Sequence, residues 1–239
     1  MPQKESVIQD PQLGEIRLSP NARARRFIFR AKEGRIECTC PPRATLKETR
    51  EAIERLRPKL KKMLERETVQ QEARFIGPDF RIEAEEFTFH LEEARVSRMT
   101  VRQRRGELVC YYPSGQNFTP QHVQDWLRKV VEESLRQHAK VLFPPRLKEM
   151  AQARGLCYQS VSIHKTKGRW GSCSTRKNIN LSLYLMLLPR RLQDLVMQHE
   201  LTHLVEMNHG PRFHALLDKV MAGRTQELER ELKKYKTEI

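Results

Sequence analysis

The spacing of apolar positions changes several times along the chain, and each change predicts an element. Up to about residue 115, short alternating runs predict strands around one helix. "RRFIFRA" and "RIECTC", separated by the turn-like "KEG", predict a hairpin. In "ATLKETREAIERLRPKLKKMLERE", Ile53, Leu56, Leu60 and Leu64 recur at helical spacing, and Pro58 is expected to break or kink that helix near its middle. "FRIEAEEFTFHLEEARVSRMTVRQRRGELVCYYP" returns to strand-like alternation. A second helix is predicted over "NFTPQHVQDWLRKVVEESLRQHAKVLFPP", with Thr119 as N-cap, Pro120 at the first helical position, and Val123, Trp126, Leu127 and Val130 on its buried face. It is expected to stop at Pro144 and Pro145, with a short helix from about Arg146 to Gly155 after it. "YQSVSIHKTK" and "NINLSLYLML" read as strands, from Val161 and Ile163, then from Ile179, Leu181, Leu183 and Leu185. Pro189 opens a last amphipathic stretch in which Leu192, Leu195, Val196, His199, His203 and Met207 share one face.

The elements describe an α+β chain, strand-rich over 1–115 and carrying its candidate chemistry over 116–239. No internal repeat or low-complexity linker is visible, so the boundary near 115 is soft. With 239 residues the chain can bury a sizeable core without disulfides. No apolar run approaches the roughly 18 residues of a membrane span. The first residues show no basic-then-apolar leader pattern, so no membrane partner is expected and the expected location is the cytoplasm.

Five cysteines, Cys38, Cys40, Cys110, Cys157 and Cys173, lack zinc-finger spacing and are expected to be reduced thiols. Cys38 and Cys40 would share one strand face, where ordinary packing is favoured over metal binding. The net charge of +15 favours acidic partners such as nucleic acid or nucleotides, or equally a basic solvated surface. No aromatic repeat of the kind an RNA-binding sheet uses accompanies it. His90, His122 and His138 read as ordinary strand or helix residues.

The stretch "MQHELTHLVEMNHGPRF" changes the picture. Residues four apart on a helix lie roughly 40° apart around the axis and about 6 Å along it, so His199 and His203 can converge on one ion. Glu200 projects roughly 100° away, free to act on a metal-bound water. A turn at Asn208, a residue tolerant of left-handed geometry, would bring His209 back as a third ligand. His199, His203 and His209 with Glu200 then form the ligand set of a catalytic zinc ion (Zn2+) with an open position. Glu206, seven residues after His199, would ligate or orient a histidine, the latter being favoured. His214 is expected to face solvent or pack. H-E-x-x-H is short enough to occur by chance, and two helix histidines can be hydrogen-bonded core residues. The burial of this face and the presence of His209 favour the metal.

"GRWGSCSTRKNINLSLYLMLLP" and "MQHELTHLVEMNHGPRF" together resemble the YgjP-like metallopeptidase family and, more distantly, the SprT-like zinc proteases. The matching residues are Arg169, Trp170, Gly171, Ser172 and Cys173, then His199, Glu200, His203, Asn208, His209 and Phe213. The resemblance implies a zincin-like α+β core with an active-site helix packed on a small sheet, zinc on the three histidines, and Glu200 as general base. Glu206 stands where metzincins require glycine, and membership there is not assigned. Arg169 would stabilise developing negative charge or form a structural ion pair, and Cys173 reads mainly as a small buried residue. The leading expectation is a zinc-dependent hydrolase of peptide or protein substrates. Alternatives are a metal-dependent hydrolase of nucleotides or other phosphate esters, and a nucleic-acid-associated module with structural zinc.

Overall fold

Alternating strands build the first sheet. The computed structural model describes residues 6–32, 34–104, 106–166, 168–237 and 239, and only the backbone of residues 70–73. β1 (Ser6–Asp10) and β2 (Gly14–Pro20) form a hairpin that the apolar pattern did not announce. Its turn is tied by the Asp10 carboxylate, which accepts from the Gln12 and Leu13 amides at 2.9 Å, while Gly14 takes a positive φ of 70°. β3 (Ile28–Lys32) and β4 (Arg35–Cys40) form the expected second hairpin, and β4 lies parallel to β2, giving the order β1-β2-β4-β3. Ile16, Leu18, Ile36, Cys38 and Cys40 point to one face, where Ile53 and Leu60 of α1 (Leu46–Ala73) cover them.

α1 does not stop at Pro58. The helix runs on because Pro58 is exposed, while Ile53 and Leu60 on either side are buried and hold the axis through the missing hydrogen bond. Arg57 also pins the middle of the helix to Asp10 through two hydrogen bonds of 2.7 and 2.9 Å. That guanidinium holds the Asp10 carboxyl well below the usual carboxylate range.

The same wiring then recurs. β5 (Ile82–Ala84), β6 (Phe87–Glu93), β7 (Thr100–Arg104) and β8 (Glu107–Tyr112) pair in the order β5-β6-β8-β7, again with a parallel central pair and again followed by a helix, α2 (Gln121–Ala153). Leu18, Cys38 and Phe29 sit opposite one another in the first sheet as Leu91, Cys110 and Val101 do in the second. The sequences of the two blocks have diverged enough to hide this repeat.

The chain divides into two compact units between Phe75 and Ile76, well before the soft boundary at 115. The physical reason is a shared core: Phe87, Phe89, Leu108 and Cys110 of the second sheet pack in one cluster with Leu127, Leu135 and Phe143 of α2 and with the elements that follow.

α2 departs from expectation at both proline sites. Thr119 does not cap it; its hydroxyl donates to the Asn117 side chain at 2.8 Å, and the Pro120 carbonyl accepts from Val123 and Gln124. Pro144 and Pro145 lie inside one continuous helix, anchored on either side of them by the fully buried Phe143 and Leu147. The helix ends where Gly155 adopts a φ of 63°.

β9 (Ser160–His164), β10 (Gly171–Cys173) and β11 (Asn178–Ser182) make a third sheet in the order β10-β11-β9, with β9 parallel and β10 antiparallel to β11. The predicted strand over "NINLSLYLML" is half that length, because Ser182 accepts from the Tyr184 amide and turns Leu183–Leu187 into a 3-10 helix. α3 (Arg190–Thr202), α4 (Pro211–Val220) and α5 (Thr225–Leu232) complete a mixed α+β fold of five helices and three small sheets among the described residues. α3 lies against β10. No helix of the described residues is long and apolar enough to cross a membrane.

Candidate metal centre

The position of α3 is fixed at both ends by arginines, Arg146 within α2 and Arg154 at its C-cap. At its start, Arg146 donates to the Gln193 side chain at 2.6 Å and pairs with Asp194, and the Glu85 carboxylate accepts from the Arg190 amide at 2.8 Å. At its end, Arg154 donates to the Gln198 carbonyl and side chain and to the Thr202 hydroxyl. Cations near a helix C-terminus also complement its dipole. Between these anchors Leu192, Leu195, Val196, Met197 and Leu201 are buried.

The helix stops earlier than expected. Thr202 is its last residue, His203 caps it, and tight turns follow in which Leu204, Val205 and Glu206 bond back to Leu201 and Thr202. Asn208 does not take a left-handed conformation: the positive-φ residues other than glycine among those described are Lys177 and Ala222. A bond from the Gly210 amide to the Asn208 carbonyl, at 2.7 Å, makes the turn that returns His209.

His199, His203 and His209 meet. Their nitrogens lie within 4.8 Å of one another, with His199 Nε2 at 3.2 Å from His203 Nε2 and 3.0 Å from His209 Nε2. Tetrahedral zinc with bonds of about 2.0–2.1 Å needs ligand nitrogens about 3.3 Å apart, so this donor set fits the ion. His203 Nδ1 lies 3.3 Å from the Glu206 carbonyl, which can only accept; that contact places the proton on Nδ1 and leaves the Nε2 lone pair toward the cluster. Burial, then the neighbouring imidazoles, push His199 down to about 4, and His203 is lowered by burial and then by His209. Both therefore keep lone pairs for a ligand at neutral pH. His199 is half-buried, His203 buried and His209 exposed, so the cluster opens to solvent on one side. Phe213, fully buried, sets its ring 4.7–4.8 Å from each of the three imidazoles and braces them together.

Glu200 follows His199 and is 4% exposed. Its Oε2 has no hydrogen-bond partner among the described residues, and burial pushes its carboxyl up to about 8. A buried oxygen without a partner, on the residue that follows the first of three lone-pair donors, suits a group that exchanges protons with a water.

Other expected roles fall elsewhere. Because the helix has ended, Glu206 contributes its backbone carbonyl to His203, and its carboxylate faces Arg212 at 3.9 Å. Arg169 is exposed, with no ion-pair partner among the described residues. The Cys173 thiol is half-buried and pushed up to about 11 by burial and then by Glu200, which disfavours a thiolate. His214 is exposed on α4 beside Phe213. Cys38 and Cys40 are buried free thiols of β4, and burial pushes Cys38 up to about 12. His138 bonds to Ser134 and Gln103, while His90 and His122 stay on β6 and α2 outside the cluster. Sequence reasoning missed Phe213 as the common contact of the three rings, and it missed Arg146 and Arg154. A fully apolar residue four positions after the last histidine was a signal for the first; single arginines on another helix gave none.

No curated protein and no solved structure matches the chain. A family profile does: that of the YgjP-like, metallopeptidase domain matches residues 25–235. Spanning both compact units and containing every residue of the histidine cluster, that match makes this chain a member of the YgjP-like metallopeptidase family.

Proposed function

We propose that the protein is a zinc-dependent peptidase in which His199, His203 and His209 hold the ion and Glu200 is the general base. The observation that carries this reading is the convergence of three imidazole nitrogens, with the residue after the first of them carrying a buried carboxylate that has an unpartnered oxygen. When bound, zinc supplies a Lewis acid for the scissile carbonyl and lowers the pKa of water at the site. Glu200 takes the proton from the attacking water and passes it to the leaving amine, a task open to a buried carboxylate with an unpartnered oxygen. His203 is kept in the required tautomer by the Glu206 carbonyl. Among the described residues β10 pairs with β11 on one side only, so its other edge offers backbone groups with which an extended peptide can pair. A purely structural ion agrees less well with three ligands, one of them exposed.

The same base and water would serve a phosphate ester, and the net charge of +15 favours that second substrate class. Metal content of wild type and His203→Ala, followed by turnover of unfolded-protein and nucleoside triphosphate panels, tests both. About one zinc per chain, lost in the variant, with peptide turnover absent from Glu200→Gln, is the expected result. Full activity of Glu200→Gln on peptides would overturn the mechanism, and triphosphate hydrolysis that Glu200→Gln lacks would transfer it to the second class.

A further inference from the structure

Gly171 is the first residue of β10, the edge strand against which α3 lies. Its φ is not in the left-handed region, so backbone freedom does not explain a glycine here. Space does. A Cβ built on Gly171 would stand 2.6 Å from Glu200 Oε1, 2.8 Å from its Cγ and 2.9 Å from its Cδ, distances that real side chains do not tolerate. The conflict is entirely with the Glu200 side chain, and no backbone atom is among the nearest contacts. Glu200 Oε2, meanwhile, has no hydrogen-bond partner among the described residues that would hold the carboxylate in place.

We infer that Gly171 is a positioning residue: its bare Cα face is the wall against which the Glu200 carboxylate rests, and this contact selects the orientation in which Glu200 serves as base. The inference rests on the peptidase reading above and adds to it the reason for a glycine in the Arg169–Cys173 segment. Any side chain at 171 must rotate the Glu200 carboxylate away, because the side chain can yield where strand and helix cannot. β10 would keep its pairing with β11, since Gly171 opposite Leu181 needs only backbone bonds. His199, His203 and His209 would keep their contacts. The predicted lesion is therefore a misdirected base in an otherwise complete site.

The test compares zinc-loaded wild type, Gly171→Ala, Ser160→Ala and Glu200→Gln. Ser160, on β9 at the far side of β11, donates its hydroxyl to the Asn178 side chain at 2.9 Å and serves as control. Gly171→Ala should retain about one zinc per chain and lose kcat by roughly 100-fold, the scale expected when a catalytic group is displaced by about 1 Å. KM should stay within about twofold, and the acidic limb of the kcat profile should move, because the carboxylate would titrate in new surroundings. Ser160→Ala should match wild type in both. A Gly171→Ala enzyme with wild-type kcat and pH profile would overturn the inference, as would a loss traced to missing zinc. Should Gly171→Ala fail to fold, Glu200→Asp in the wild-type background, which draws the carboxylate away from Gly171, should show the same loss of kcat and moved pH profile with zinc retained, and wild-type values there would overturn the inference. Full activity of Glu200→Gln would instead sink the underlying mechanism, so the two failures remain distinct.

Discussion

Replacing Arg146 by Met tests the claim that α2 holds α3, the helix of His199 and Glu200, in place. The guanidinium is 11% exposed; it donates to Gln193, pairs with Asp194, whose side chain is 33% exposed, and lies 3.5 Å from Glu86, which is 20% exposed. Gln193 is fully buried, and losing the donor to its oxygen costs about 1–3 kcal/mol. Breaking a fully buried ion pair from one side costs about 3–5 kcal/mol, but Asp194 can rehydrate, so about 1–2 kcal/mol is the fitting share here. Together these give about 3 kcal/mol, or roughly 6–12 °C in Tm for a unit of this size. Thermal and urea unfolding followed by circular dichroism would read it, and a cycle with Asp194→Asn should return a coupling of about 1–2 kcal/mol. Stability within about 1 kcal/mol of wild type would show that the helix is placed by apolar packing alone.

His203→Ala should abolish the thermal stabilisation that added zinc gives wild type, and chelation should lower wild-type Tm to the variant's value; equal responses in both would remove the histidines from the site. Phe213→Ala should destabilise by about 3–5 kcal/mol, while Phe213→Leu should retain the fold but weaken zinc binding, measured by competition with a chelating dye. In metal-free protein, the raised Glu200 carboxyl favours folding while protonated, so its contribution is lost as pH rises from about 4.5 through about 8. The lowered His199 acts oppositely, and its contribution is lost as pH falls from about 6.5 through about 4. Glu200→Gln should therefore gain on wild type as pH climbs from about 6.5 to 8, measured by urea midpoints at each pH; parallel curves would refute the burial argument.

The local chemistry was legible and the tertiary supports were not. His199 and His203 were readable because a four-residue spacing fixes direction on any helix. The return of the His209 imidazole toward the other two was readable, although the turn is made by an early helix end and a bond to Asn208 rather than by a left-handed asparagine. Glu206 was misplaced by extending the helical period beyond Thr202. The prolines misled in the same way: local rules stop a helix at Pro58 or Pro144, but buried residues on both sides carry it through. The Gly171 to Glu200 contact and the Arg146 and Arg154 anchors join segments far apart in sequence, where no periodicity reaches.

The repeated strand order sets a sorting problem during folding. A nascent chain with two blocks of identical wiring could insert β8 beside β2, or β4 beside β6, and satisfy the same backbone ladder in either case. Side-chain volume acts as the address. Ile16 faces Ile36 in the first ladder and Phe89 faces Leu108 in the second, while the neighbouring row pairs Cys38 with Phe29 and Cys110 with Val101. An exchanged strand would join Leu108 to Ile16 or Ile36 to Phe89 while moving each block's strand onto the wrong helix, an overfilled or hollow core costing about 1–3 kcal/mol per misfit. Divergence between the blocks, which hides the repeat from a reader of the sequence, is also what lets the chain tell its own strands apart.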